Sequence, residues 1–418
     1  MRFQAPRGTN DVLPSESHRW IELEGCFREL ARLYGYAEIR TPDFEDTELF
    51  VRSSGETSDV VSKEMYTFPD KSGRSLTLKP EATAPTIRAV VQHSLCPPGT
   101  VSRLSYISPI FRYDRPQKGR YRQSHQVGLE LLGGASAEAD AEVIEVTFRF
   151  YERLGIEGAA VRLNSLGREE CRAAFRQAIL DHARTFLAAE SDEARAKAEK
   201  NPLRLLDSKD EDVRQAMAGA PPVTRFLEDD SRKRLDSIQA LLTEAGIPFT
   251  LDPGVVRGLD YYTETVFEVH STRLGAQSAL CGGGRYDHLV KELGGPPTPA
   301  VGVAMGIERA LLVLEEVGKS LPAPAIDVYL AQATPDAAPA LRKLARELRR
   351  SGLATVLDTE GRSLKAQIGQ ADRLGARYAA ILGDEELGRG VAQLRDLRRG
   401  EQVEVPLDAV ATRLRSMG

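Results

Sequence analysis

Apolar residues recur at helical spacing from Ser17 to Tyr36, where Trp20, Ile21, Leu23, Phe27, Leu30, Leu33 and Tyr34 form one broad stripe and Gly35 closes it. A strand is expected next, at "AEIRTP". From Thr100 to Tyr113 the period shortens to two, with Leu104, Tyr106, Ile110 and Arg112 on one face and Ile107 and Phe111 on the other. "RQSHQVGLELLG" (122–133) alternates in the same way after a basic loop, so the two runs predict an antiparallel hairpin. Residues 136–155 and 167–245 read as helical; the second block is rich in Ala, Arg, Glu and Asp and suits an insertion. Strands return in "VVRGLDYYTETVFEVHS" and "SALCGGGRYDHLV". A glycine-rich strand, "AVGVAMG", then runs into the helix "IERALLVLEEVG".

The stretch "GKSLPAPA" (318–325) has linker composition and predicts a domain boundary, with residues 1–322 before it and 323–418 after it. Beyond it strand and helix alternate at short spacing: "IDVYLA", "AAPALRKLARELRRSG", "ATVLD", "SLKAQIGQADRLG" and "YAAILG". A small α/β domain with a mostly parallel or mixed sheet is expected there.

The 418 residues leave room for two or three domains, and 41% hydrophobic with 28% charged residues is an ordinary globular composition. The N-terminus lacks the apolar core of a signal peptide, and no apolar run approaches the ~18 residues of a membrane span, so a cytoplasmic protein is expected. Cys26, Cys96, Cys171 and Cys281 form no C-x-x-C pair and read as reduced structural thiols. The net charge of −5 argues mildly against a general nucleic-acid binder. It hides an asymmetry, since residues 323–418 carry 15 Lys and Arg against 13 Asp and Glu. Any contact with a polyanion must come from local patches.

The hairpin holds one such patch. Its loop concentrates Arg115, Lys118, Arg120 and Arg122, more positive charge than is needed to hold a sheet together. Gln126, Gly128 and Glu130 share one face of the second strand, opposite Val127, Leu129 and Leu131. Arg112 with Gln126 and Glu130 reads equally as a satisfied salt-bridge cluster or as a ligand site. Gly128 favours the second, since it removes a side chain from the polar face and leaves room for a flat ligand on the backbone. Arg112 beside that space suits a two-pronged grip on phosphate or carboxylate.

Three further stretches say less when taken singly. "RGLDYYTETVFEV" (257–269) fits a strand with packed tyrosines and Arg257 at its solvated start. "CGGGRYD" (281–287) needs a turn or close backbone approach, but the G-x-x-x-x-G-K-[ST] phosphate loop is absent. In "AVGVAMGIERALLVL" (300–314), Gly302 and Gly306 precede Arg309, a weak nucleotide signal.

Together these stretches resemble the class II aminoacyl-tRNA synthetases, and among them the histidyl-tRNA synthetases. "LYGYAEIRTPDFEDTELF", "FRYDRPQKGRYRQSHQVGLELLG" and "AVGVAMGIERALLVL" are similar to the three class motifs, and "RGLDYYTETVFEV" and "GGGRYDHLV" to the two histidine-specific signatures. "RGTNDVLP", "LKPEATAP", "NPLRLLDSKD" and "SLKAQIGQADRLGARYAAILGDEEL" extend the likeness nearly end to end.

The resemblance implies an α/β fold: an α+β catalytic domain over 1–322, built on an antiparallel sheet with a helical insertion at about 168–246, and a small α/β anticodon-binding domain over 323–418. It implies a ligase that makes histidyl-adenylate from L-histidine and ATP and passes histidine to the 3′ end of tRNA(His). Arg112 and Arg257 are then the catalytic cations at the α-phosphoryl group. Arg112 and Arg309 bind ATP, Arg309 at the γ-phosphate end, with Mg2+ bridging the phosphates. No tightly bound cofactor and no metal cage made by the protein are implied. Glu81, Thr83 and Gln126 are implied for the α-amino group of histidine. Glu130 and Tyr262 would answer the donor and acceptor of its imidazole, between walls of Tyr261 and Tyr286. Arg115, Gln117, Lys118, Arg120 and Arg122 would meet the tRNA acceptor end, and Arg362, Lys365, Arg389, Arg398 and Arg399 are candidates for RNA contacts in the tail. A homodimer built on the first motif is expected, and no membrane partner. A catalytically inactive regulatory paralogue of ATP phosphoribosyltransferase is the alternative. Such paralogues usually lack the tail and degrade the ATP and histidine signatures, whereas Arg112, Arg257, Arg309 and the tail are present here.

Overall fold

The computed structural model describes residues 3–417 apart from 56, 57, 59, 207, 209, 257–260, 272–278, 322 and 324. Arg257 therefore lies outside the described residues. Helix α1 (Ser17–Leu33) buries Leu23, Phe27, Leu30 and Ala31, while Ile21 and Leu33 of the same apolar stripe stay 65% and 53% exposed. Gly35, at φ 78°, lets the chain leave the helix in the left-handed region and enter β1 (Ala37–Glu38). A small antiparallel sheet follows, which the sequence pattern did not disclose. It is built from β2 (Phe44–Asp46), β3 (Tyr66–Pro69) and β4 (Ser75–Leu78), with β4 central and helix α2 (Thr47–Ser54) between β2 and β3 in the chain. Helix α3 (Thr83–His93) leads from there to the hairpin.

The hairpin consists of β5 (Ser102–Phe111) and β6 (Gln123–Leu132), with Leu104 opposite Glu130, Tyr106 opposite Gly128 and Ser108 opposite Gln126. Helix α4 (Ala137–Leu154) and strand β7 (Ala159–Ser165) come next. The long helical stretch resolves into α5 (Glu169–Ala188), α6 (Asp192–Lys200), α7 (Glu211–Ala216) and α8 (Asp229–Glu244). Its side chains Phe175, Ile179, Leu235 and Ile238 share one core with Phe27, Leu129 and Phe150. The chain then returns through β8 (Phe249–Leu251), parallel to β7.

The run "VVRGLDYYTETVFEVHS" is not one strand. Strand β9 covers Thr265–Ser271, and Tyr261 to Glu264 form an irregular turn ahead of it. After β10 (Ala279–Arg285), α9 (Leu289–Glu292) and β11 (Ala300–Gly306), helix α10 (Ile307–Glu316) ends this part. The eight strands run in the order β1-β5-β6-β11-β10-β9-β7-β8, antiparallel at every junction except the two ends. The second and third motifs thus meet in the sheet centre, where β6 and β11 are paired, while β1 of the first motif forms one edge.

The chain divides into two compact units, residues 1–321 and 322–418. Within the second, β12 (Val328–Gln332), α11 (Ala338–Arg350), β13 (Thr355–Leu357), α12 (Leu364–Arg373) and β14 (Tyr378–Leu382) match the strand and helix alternation of the sequence. Helix α13 (Asp384–Arg389), the hairpin β15 (Val391–Asp396) and β16 (Gln402–Pro406), and helix α14 (Val410–Ser416) complete it. The sheet is mixed: β13, β12 and β14 are parallel, and β15 and β16 are added antiparallel. Val328, Leu330, Leu341, Leu348, Leu394 and Leu414 form its own core. Among the described residues no helix is long and apolar enough to cross a membrane.

Candidate active site

Glu130 stands at the centre of the polar face of β6 and is fully buried. Thr83 Oγ1, at the start of α3, donates to its Oε1 at 2.7 Å, and the Tyr286 hydroxyl donates to Oε2. Burial pushes the Glu130 carboxyl up to about 8; the hydrogen bonds from Tyr286 and Thr83 restrain that rise, and the nearby charge of Glu81 adds to it. Glu81 is itself buried, and its two oxygens accept from the backbone N–H groups of Thr83 at 2.6 Å and Ala84 at 2.8 Å. It thereby holds the first turn of α3 in place. Burial raises its carboxyl as well, opposed by those N–H groups and by the charge of Arg112. The Gln126 Oε1, two residues before Gly128, is buried and has no partner among the described residues.

Gly128 does not leave a vacancy for a ligand. The Tyr106 ring from the paired strand lies where a methyl on Gly128 would stand. The same arrangement recurs along the sheet: the Glu130 carboxylate lies over Gly302, and Tyr262 lies against Gly284, with a Cβ there only 2.9 Å from its ring. Glycines on three neighbouring strands make room for side chains from β5, β6 and the turn ahead of β9, which explains part of the "GGG" run. Tyr261 packs on Tyr262 at a 45° tilt with ring centroids 4.7 Å apart and meets Tyr286 edge-on at 5.6 Å.

Arg112, just past β5, donates its Nε to the Pro80 carbonyl at 2.7 Å. Among the described residues it forms no ion pair with Glu130 or any other carboxylate, so the salt-bridge reading of the hairpin does not hold. On the first turn of α10, burial lowers the Arg309 guanidinium pKa; the positive charges of Arg120 and Arg112 act in the same direction, and Tyr151 and Glu268 oppose them. The Arg309 Nη1 donates to the Ala279 carbonyl.

The loop residues divide among themselves. Gln117 and Arg120 exchange backbone hydrogen bonds at 3.1 and 2.8 Å around Gly119, at φ 77°. That turn packs on α10, with Leu312 Cδ1 3.2 Å from where a Cβ of Gly119 would lie. Lys118 pairs with Glu316 at 2.9 Å and Arg120 with Asp114 at 3.2 Å, while the Arg122 guanidinium lies 3.9 Å over the Tyr113 ring. Arg115 is exposed and has no ion pair among the described residues. In the second unit, Arg362 pairs with Asp358 at 2.6 Å and Arg389 with Glu404 at 2.8 Å. Arg398 and Arg399 line a cavity of about 330 Å³ with Arg377 and Arg413.

Several supporting residues escaped sequence reasoning. Arg285, fully buried, bonds through Nε to Asp140 Oδ1 at 2.9 Å and through Nη1 to Asp287 at 3.0 Å; Arg234 holds the other Asp140 oxygen at 2.8 Å. This network anchors the residue next to Tyr286. Arg172 of α5 donates to the Tyr262 carbonyl at 2.9 Å, so the helical stretch fixes the turn that carries the tyrosines. Among the described residues no group of three His, Cys, Asp or Glu side chains is arranged to hold a metal.

A family model described as histidyl-tRNA synthetase matches residues 8–310, and one described as an anticodon binding domain matches 327–417. The histidine–tRNA ligase of Thermoanaerobacter pseudethanolicus is 44% identical over 418 residues and covers 100% of both chains. That of Synechococcus elongatus is 48% identical over 400 residues, 96% of this chain and 92% of the relative. Among solved structures, the apo histidyl-tRNA synthetase of S. aureus aligns with a TM-score of 0.83 at 35% identity over 99% of each chain.

Proposed function

The chain belongs to the histidyl-tRNA synthetase family and is a histidine–tRNA ligase, and from that premise we propose how its residues divide the reaction. The family takes ATP, with Mg2+, as a substrate. In the first step an oxygen of the histidine carboxylate attacks the α-phosphorus, the α–β phosphoanhydride bond breaks, and pyrophosphate leaves with the electron pair. Negative charge grows on the α-phosphoryl oxygens as two anions approach, so fixed cations aimed there are the natural catalysts. Arg112 is assigned to that place, and Arg257 to the same role by resemblance. Arg309 takes the γ-phosphate end, and Mg2+ enters with the nucleotide.

Histidine is read by the buried polar floor. Glu130, already satisfied on each oxygen by Thr83 and Tyr286, keeps lone pairs for the imidazole, and Tyr262 offers the second partner. Glu81, Thr83 and the unpaired Gln126 Oε1 receive the α-amino group, between Tyr261 and Tyr286. An analogue without the imidazole N–H forfeits the hydrogen bond to Glu130. The single observation that carries this assignment is the buried Glu130 carboxyl, held from two elements by Thr83 and Tyr286.

Residues 1–322 are proposed as the catalytic domain, with the helical insertion at about 168–246, and residues 323–418 as the anticodon-binding domain. Arg115, Gln117, Lys118, Arg120 and Arg122 are proposed to meet the acceptor end of tRNA(His). Exposed Leu33 on α1 and Phe44 on β2 support a homodimer through the first motif. We place the enzyme in the cytoplasm, where tRNA is charged. Histidine-dependent ATP–pyrophosphate exchange tests the reading. Arg257→Ala should lower it by about two to three orders of magnitude with the fold intact. Exchange within a factor of a few of the parent would remove Arg257 from the chemistry.

A further inference from the structure

Strand β11 ends at Gly306, opposite Gln126 of β6. One residue further along β6, the N–H of His125 has no strand carbonyl of β11 left to meet. The Glu308 carboxylate, from the first turn of α10, takes it instead. Its Oε1 and Oε2 accept from His125 N at 2.9 and 3.1 Å, and Oε1 lies 3.0 Å from His125 Nδ1. The Glu308 side chain is only 11% exposed. The imidazole also meets Trp20 of α1 edge-on, with ring centroids 4.9 Å apart. A cavity of about 220 Å³ opens beside the pair, with the charged side chains of Asp11, Glu16, Arg19 and Glu315 in its lining.

The start of α10 is also held by buried Ile307 and Ala310 and by Arg309, whose Nη1 donates to the Ala279 carbonyl. Gly306 gives the helix no side-chain cap, and the nearest atoms to where its Cβ would be are those of Arg309, at 3.7 Å. Glu308 and Arg309 are adjacent in α10, and His125 and Gln126 are adjacent in β6 but face opposite sides of the sheet. The pair therefore joins, from behind, the two elements that present Arg309 and Gln126 to the reaction side.

We propose that Glu308 and His125 are positioning residues that act through Arg309 by clamping the first turn of α10 to β6. This rests on the assignment of Arg309 to ATP. Neither residue touches substrate; their effect is to hold a guanidinium in register, and a displacement of about 1 Å at such a group costs on the order of 10²-fold in rate.

The test is exchange kinetics with separate KM values for ATP and histidine, on Glu308→Ala, Glu308→Gln, His125→Ala, Arg309→Ala and the Glu308→Ala/Arg309→Ala double variant. Glu308→Ala should raise the ATP KM about tenfold or more and leave the histidine KM within about twofold. Glu308→Gln, whose amide oxygen still accepts from the His125 N–H, should restore most of it. In the double variant the Glu308 change should add almost nothing to Arg309→Ala. An unchanged ATP KM in Glu308→Ala overturns the proposal, as do equal rises in both KM values or full additivity in the double variant. Should Glu308→Ala not fold, His125→Ala keeps the backbone bond and carries the test. A rise of about threefold in ATP KM that vanishes in the Arg309→Ala background supports the clamp, and no rise overturns it. Arg309→Ala with parental ATP KM would remove the Arg309 assignment and the clamp together, whereas failure of the Glu308 and His125 variants alone leaves that assignment standing.

Discussion

The Glu130 carboxylate of β6 lies directly over the α-carbon of Gly302 on the neighbouring strand β11. A methyl on Gly302 would overlap Oε2, and the Leu129 carbonyl, 2.7 Å from the same point, blocks retreat along the backbone. Gly302→Ala must therefore displace the carboxylate from Tyr286. We expect a folded protein whose histidine KM rises about tenfold or more in exchange while the ATP KM changes little, the pattern of lost substrate binding. Parental histidine KM would show that Glu130 is free to move without consequence.

The protonation of Glu130 gives a second expectation. In the fold its carboxyl keeps a proton up to about pH 8, whereas an unfolded chain releases it near ~4.3. Between those values the folded state binds more protons, so this contribution to stability is complete below the lower value and is lost as pH rises towards the higher. Buried Glu81, also raised, acts in the same direction. Urea midpoints should thus fall from about pH 5 to about pH 8, and Glu130→Gln, which cannot ionise, should flatten that slope. An equal slope in both proteins would place the proton elsewhere.

The alternation of β6 made Gln126 and Glu130 legible from the sequence, because a two-residue period assigns faces without any knowledge of the neighbours. What lay over Gly128 was not legible. The Tyr106 that fills its place comes from the paired strand, and register across a hairpin is set by its loop. Tyr261 and Tyr262 read as strand from their β-propensity, yet they sit in a turn that Arg172 of α5 holds. The three-stranded sheet was invisible because its strands are three and four residues long, too short for any period to emerge. Arg285 and Asp140 are 145 residues apart, and nothing local marks such a pair.

That pair supports a third expectation. Asp140 is fully buried between Arg285 and Arg234, and removing it leaves two guanidinium groups without their shared carboxylate. Asp140→Ala should cost about 3–5 kcal/mol, the usual penalty for breaking a buried ion pair on one side. Chemical denaturation measures it directly. A loss below about 1 kcal/mol would mean that Asp287 and the carbonyls of Gly134 and Ser136 already satisfy Arg285.

The two units differ in what they hold, and a chain ending at residue 322 separates their roles. The apolar clusters that contain Phe27, Leu129 and Ile238, and Ile87, Leu104 and Tyr286, lie wholly before that point, while those of Val328 and Leu394, and of Tyr329 and Ala371, lie wholly after it. Truncation therefore splits none of these clusters and removes no residue of the Glu130 floor and none of Arg112, Arg120 or Arg309. The shortened protein should fold and keep histidine-dependent pyrophosphate exchange near the parental rate. Transfer to tRNA should fall sharply, because only the hairpin loop then remains to hold the RNA, and of its cations Lys118 and Arg120 are already engaged with Glu316 and Asp114. Added salt should weaken the residual transfer further, as it does any contact made mainly through phosphates. Exchange and transfer measured on one preparation decide the matter: transfer unchanged would mean that the tail does not bind RNA, and loss of both activities in a folded protein would mean that the tail takes part in the chemistry.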